Sequence, residues 1–167
     1  MQYLYHVILP SNHKHYVSIE KILNEGISYS TESNYWYGKG GKLKPKITEK
    51  LKPSNTPSWL DFKKAIGVEL VQQDSSYFKF PLFTDKILIF NKEYSEQIFD
   101  QVFYEDNKYT FEEALDFDTG QSIEHWILHY WRSMTTLEAY LLTKPYQKPE
   151  VLIFESVPKD IIQVCEE

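Results

Sequence analysis

Two ionisable residues sit inside apolar, strand-forming runs of this chain: His6 in Tyr5-His6-Val7-Ile8 and Glu150 in Pro149-Glu150-Val151-Leu152-Ile153-Phe154. A strand buried on both faces carries such a group only where it is paired, faces a cleft or does chemistry, because desolvating a charge is costly. Taken singly, each also has a structural reading. His6 would hydrogen-bond a neighbouring backbone, and Glu150 would be an edge carboxylate facing water just after a proline.

Other residue patterns suggest other chemistries. His125 and His129, four apart on an expected helix, share one face at a spacing a metal could use, but no third ligand is evident nearby and the adjoining Trp126 and Trp131 favour aromatic packing. No metal is expected. Tyr37-Gly38-Lys39-Gly40-Gly41 is a glycine-rich run with a lysine that lacks both the Walker A order and the three-glycine dinucleotide spacing. No Gly-x-Ser-x-Gly elbow is present, and Cys165 lies in an acidic tail with no positive neighbour to activate it, which disfavours nucleophilic hydrolysis. Glu112, Glu113, Asp116 and Asp118 read as a solvated turn.

Composition narrows the class further. The 167 residues suit one domain spanning 1–167, and 42% hydrophobic with 16% aromatic residues describes a soluble globular protein with an aromatic core or binding surface. The formal net charge is −6, and of 18 basic residues only Arg132 is an arginine, which disfavours a large phosphate-tracking surface. A small nucleotide ligand stays compatible with that balance. One cysteine without a partner fits a reducing compartment, and the apolar runs are far shorter than a membrane span, so the expected location is cytoplasmic with no membrane partner.

The elements that would position these residues follow from hydrophobic period and turn residues. Tyr3 to Leu9 predicts a strand ended by Pro10-Ser11-Asn12, then a helix over Tyr16 to Asn24 with Ser18 as N-cap and Gly26 as its stop. Ser28 to Pro57 is polar and rich in Gly, Lys, Ser and Pro, and reads as a long loop with short strands; such loops either cover a ligand or are disordered, and Tyr35-Trp36-Tyr37 favours a lid. Trp59 to Val71 predicts a short helix running into a strand at Gly67 to Val71, and Lys86 to Phe90 predicts another strand. Helices are expected over Lys92 to Phe103, briefly at Phe111 to Leu115, and over Ser122 to Leu142 with a break near Ser133-Met134. Glu150 to Phe154 is the last predicted strand.

Both ends of the chain resemble a known family. Tyr5-His6-Val7, a polar turn, and Ile22-Leu23-Asn24-Glu25-Gly26-Ile27 are similar to the opening of the ADP-ribosyltransferase-like fold, where a strand histidine precedes a helix of the form Ile-Leu-x-x-Gly-Leu. The closing Pro149-Glu150-Val151-Leu152-Ile153-Phe154, with Val157-Pro158 and Ile161-Ile162, is similar to the pattern that ends the DNA-targeting ADP-ribosyltransferase toxins. The resemblance covers the two ends, and the middle agrees only in length and mixed character.

That resemblance implies an α+β fold of two small packed β-sheets with flanking helices, forming a cleft for NAD, which is the substrate. His6 would hydrogen-bond the nicotinamide ribose, one of Tyr29, Tyr35 and Tyr37 would stack on the ring, and Glu150 would be catalytic. The family holds the NAD phosphates with an arginine after the first loop, which this chain lacks; Lys63, Lys64 or Arg132 would have to serve. The acceptor would be a nucleic acid, favoured by the lysines of Lys39 to Lys52, or a protein, and a cognate antitoxin or host protein would be a further partner. Two readings stay beside it: a non-catalytic inhibitor or immunity factor binding through aromatic surface, and an inactive NAD-binding relic of the transferase fold.

Overall fold

Alternation along Tyr3–Val7 turns Leu4 and His6 to the same side, and both are buried while Val7 is exposed. This strand, β1, belongs to a computed structural model that describes residues 1–13, 15–28, 31, 49–72, 74–103 and 123–166. Most of the expected Ser28 to Pro57 loop and the expected turn at Phe111 to Leu115 lie outside the described residues. The chain gathers into two compact units, one of Met1–Pro45, Pro57–Ile87 and Val151–Glu167, the other of Lys46–Thr56 and Leu88–Glu150.

In the first unit, Ser18 caps helix α1 (Ile19–Glu25) by accepting from the Lys21 amide, and Gly26 ends it at φ 84°. Both agree with the sequence reading. Ser18→Ala should lower stability by about 1 kcal/mol, read from a urea midpoint shift at constant slope. Ile27, just beyond the stop, exchanges backbone hydrogen bonds with Val157 at 3.1 and 2.8 Å. The Gly26 turn near the front of the chain and the Val157-Pro158 turn near its end are therefore laid against each other.

The predicted helix from Trp59 is a single 3-10 turn, Phe62–Lys64, capped by the Asp61 carboxylate and ending in β2 (Ile66–Val68). β2 stops short of Val71 because Glu69 pairs with Tyr5 of β1 in an isolated bridge, at 3.0 and 2.7 Å. β3 (Tyr77–Pro81) lies antiparallel between β1 and β6 (Gln163–Cys165), with His6 opposite Phe78. β2 is antiparallel to β5 (Pro149–Ile153), pairing Gly67 with Leu152. Leu4, Ile22, Ile27, Phe62, Ile66 and Phe80 are almost wholly buried and form this unit's core.

In the second unit, β4 (Ile87–Asn91, entering at Leu88) runs directly into α2 (Lys92–Phe103), which packs on α3 (Ile123–Arg132). The stripe Ile123, Ile127, Tyr130 and Trp131 of α3 is buried, as its spacing predicts. The helix breaks because Thr135 leaves it to pair with Ile89, at 2.9 and 2.8 Å, and Thr136 then caps α4 (Leu137–Thr143). Ser133 fastens this corner, accepting from the Asn91 amide at 2.9 Å and donating to the Tyr130 carbonyl at 2.6 Å.

The Tyr146 hydroxyl donates to the Ser133 carbonyl at 2.6 Å, and the Tyr140 hydroxyl donates to the Tyr146 carbonyl at 3.1 Å. Burial raises both phenols above their usual range, and for Tyr146 the neighbouring Tyr94 and Tyr140 add to it. A raised folded value favours the neutral form, so this contribution is complete below about pH 10 and is lost as pH rises through the higher folded values. Tyr146→Phe should therefore flatten the alkaline end of the stability profile, measured by urea unfolding between pH 8 and 11.

The strands form two small antiparallel sheets, β1-β3-β6 and β2-β5-β4, in an α+β chain with four α-helices among the described residues. None of those helices is long and apolar enough to cross a membrane.

Candidate functional site

Glu150 is the second residue of β5, and Pro149 suits a strand's first position because no ladder donor is needed there. Its side chain is 9% exposed, so it is no water-facing edge carboxylate. Ser95 of α2 donates to Oε2 at 2.8 Å, and Tyr130 of α3 donates its phenolic proton to Oε1. Ring stacking on Phe90, at a centroid distance of 4.4 Å and 5° between planes, fixes the Tyr130 hydroxyl in place. Two helices thus each supply one hydroxyl to a buried carboxylate, the kind of pairing its burial requires.

Ser95 has a second acceptor in the Lys92 carbonyl, at 2.9 Å. Its hydroxyl carries one proton, so the two acceptors compete for it. Neither Ser95 nor the Tyr130 hydroxyl stands out in the sequence, where Tyr130 is simply part of an apolar stripe. The signal that finds them is Glu150 itself, since a buried carboxylate needs donors from whatever packs on it.

His6 is 2% exposed, and its Nδ1 lies 2.8 Å from the Gly67 carbonyl of β2. A carbonyl only accepts, so Nδ1 bears the proton and a neutral ring keeps its acceptor lone pair on Nε2. The backbone hydrogen bond foreseen as the structural reading is thus made, and it also fixes the ring's tautomer. The cavity beside His6, bordered by Ile22, Thr31 and Phe78, holds about 10 Å³, room for one water at most. β2, which carries Gly67, pairs with Val151 to Ile153 of β5.

The remaining sequence candidates fall in different places. Tyr29, Tyr35 and Tyr37 lie outside the described residues. Arg132 is exposed at the last position of α3. The His125 and His129 rings do share a helix face, 4.3 Å between centroids, with Tyr94 against His129 at 5.3 Å. Among the described residues no three metal-capable side chains converge. The large exposed apolar residues there are aliphatic, such as Val71 and Leu142, so no described aromatic patch matches the binding-protein reading.

Lys63 borders a cavity of about 710 Å³ in the first unit, together with Lys64 and Lys86. A cleft of this size accommodates a nucleotide-sized ligand. No protein-family model, no curated protein and no solved structure matches this chain.

Proposed function

We propose that this protein is an ADP-ribosyltransferase that uses NAD as donor and releases nicotinamide, with Glu150 as its catalytic residue. The observation that carries this reading is Glu150, a buried carboxylate at the head of an apolar strand, held by two hydroxyls. A carboxylate kept there at the cost of desolvation has a use that a leucine could not fill. The resemblance of both chain ends to the ADP-ribosyltransferase-like fold says what that use is, and the α+β chain with two small antiparallel sheets accords with it.

In this reading the bond between the ribose C1′ and the nicotinamide nitrogen breaks, and its electron pair leaves with nicotinamide. Glu150 opposes the positive charge that develops on the ribose and takes the proton of the acceptor as its oxygen or nitrogen bonds to C1′. His6, held by its Nδ1 contact with the Gly67 carbonyl, takes its ribose role in this reading from the resemblance alone, since the cavity beside it holds one water at most. The acceptor is a nucleic acid or a protein.

Incubation with NAD tests this directly. Free nicotinamide should accumulate, and label on the adenine side should pass to nucleic acid or protein. Absence of any NAD binding at millimolar concentration overturns the reading and the inactive-relic alternative together.

A further inference from the structure

We infer that His125 and His129 on α3 form a two-point binding site for a divalent transition-metal ion such as Zn²⁺. A spacing of four on a helix brings their Cβ atoms to one face but leaves the rings able to splay apart. Here they converge, with 4.3 Å between centroids and 61° between planes, so they meet without stacking face to face. An ion bound at ~2.1 Å to one nitrogen of each ring, at an angle between square and tetrahedral, sets the centroids roughly 4.5–5.3 Å apart. Widening the pair by about half an ångström therefore admits the ion.

The neighbouring rings hold this arrangement. Tyr94 of α2 lies against His129 at 5.3 Å, and Trp126 lies edge-on to His125 at 4.9 Å, so each imidazole is backed by an aromatic ring. Such support limits the rotamer freedom that metal binding would otherwise have to remove. Both histidines are half-buried and keep part of their surface in solvent. His129 also stands in the last turn of α3, where the helix end carries partial negative charge and favours a cation; Arg132 is the competing cation of that turn. Imidazole nitrogen suits Zn²⁺, Cu²⁺ and Ni²⁺, whereas Mg²⁺ and Ca²⁺ prefer oxygen.

Two protein ligands are fewer than the three or four of a resident zinc site, and among the described residues no third joins them. Water completes the coordination, and the ion is held reversibly. In the sequence the same pair reads as aromatic packing, because spacing alone does not report that the rings converge. Metal binding here is independent of the proposed transfer chemistry, so its failure and the failure of the transferase reading are separate results.

Titration of the full chain with zinc chloride by calorimetry, in a buffer that does not bind metal, tests the site. Wild type should bind a single ion that EDTA removes, and Mg²⁺ should not compete. His125→Asn and His129→Asn should each weaken binding at least about tenfold, because one imidazole alone loses the chelate. His13 and His15, with ring centroids 5.6 Å apart, are the rival pair, and His13→Asn should bind as wild type does. Ring-nitrogen NMR of the unaltered protein needs no variant to fold: Zn²⁺ should shift the signals of His125 and His129 among the five histidines. No binding at millimolar Zn²⁺, unchanged affinity in a folded His125→Asn or His129→Asn protein, loss of binding in His13→Asn, or NMR shifts confined to the other three histidines overturns the inference.

Discussion

Glu150→Gln is expected to lower nicotinamide release by about 10² to 10⁴-fold, the range set by loss of a charge that stabilises a transition state and of a general base. NAD binding and the fold should persist, because the hydrogen bonds with Ser95 and Tyr130 can be remade. The amide nitrogen introduced by this substitution, standing where Oε2 was, donates to Ser95 Oγ, and the single Ser95 proton turns to the Lys92 carbonyl at 2.9 Å. Tyr130 continues to donate to the remaining oxygen. The net change in stability should stay within about 1 kcal/mol, whereas Glu150→Ala removes the carboxylate that accepts from Tyr130, leaves Ser95 only the Lys92 carbonyl and opens a cavity, and should cost about 2–4 kcal/mol.

That contrast separates chemistry from architecture. A wild-type rate in a folded Glu150→Gln protein would leave the carboxylate a structural role only, and the transferase reading would fail. Equal urea midpoints with a collapsed rate support it. Tyr130→Phe and Ser95→Ala complete the test as positioning variants. Each removes one donor to the carboxylate and should lower the rate at saturating NAD, while leaving the dissociation constant for NAD within a few-fold.

The helices and the break after Arg132 were legible because local chemistry decides them: Ser18 and Thr136 cap, Gly26 stops, and the α3 stripe repeats at helical period. β3 was missed because Tyr77, Phe78 and Phe80 are all buried, so the run lacks the alternation that marks a half-exposed strand, and it ends in Pro81. β6 was missed because Gln163 to Cys165 is short and polar in part, and only pairing with β3 makes it a strand. The candidate site divides in the same way. Glu150 and His6 are conspicuous as polar residues in apolar runs, but Ser95 and Tyr130 become visible only when two helices pack, and Lys86 only when three segments border one cavity.

Gly26→Ala should cost about 3–5 kcal/mol, a large part of the 5–15 kcal/mol typical of a domain, without touching a reacting group. At φ 84° and ψ −173°, Gly26 occupies a region open essentially to glycine alone. An added Cβ would also stand 2.4 Å from the Val157 carbonyl oxygen and 3.2 Å from the Lys159 amide nitrogen, both backbone atoms that a rotamer change cannot move. Relief requires parting the Ile27 and Val157 pair, and the Gly26 carbonyl that accepts from the Thr31 hydroxyl at 3.2 Å would shift with it. Thermal or urea unfolding should therefore show a steep loss, and a shift under about 1 kcal/mol would mean that the two chain ends are not joined in this way. The glycine of the Ile22 to Ile27 run is thus explained by where Val157 lies. At low temperature, where part of the Gly26→Ala protein is folded, nicotinamide release per folded molecule should match wild type, the opposite of the Glu150→Gln pattern, in which every molecule folds and almost none turns over.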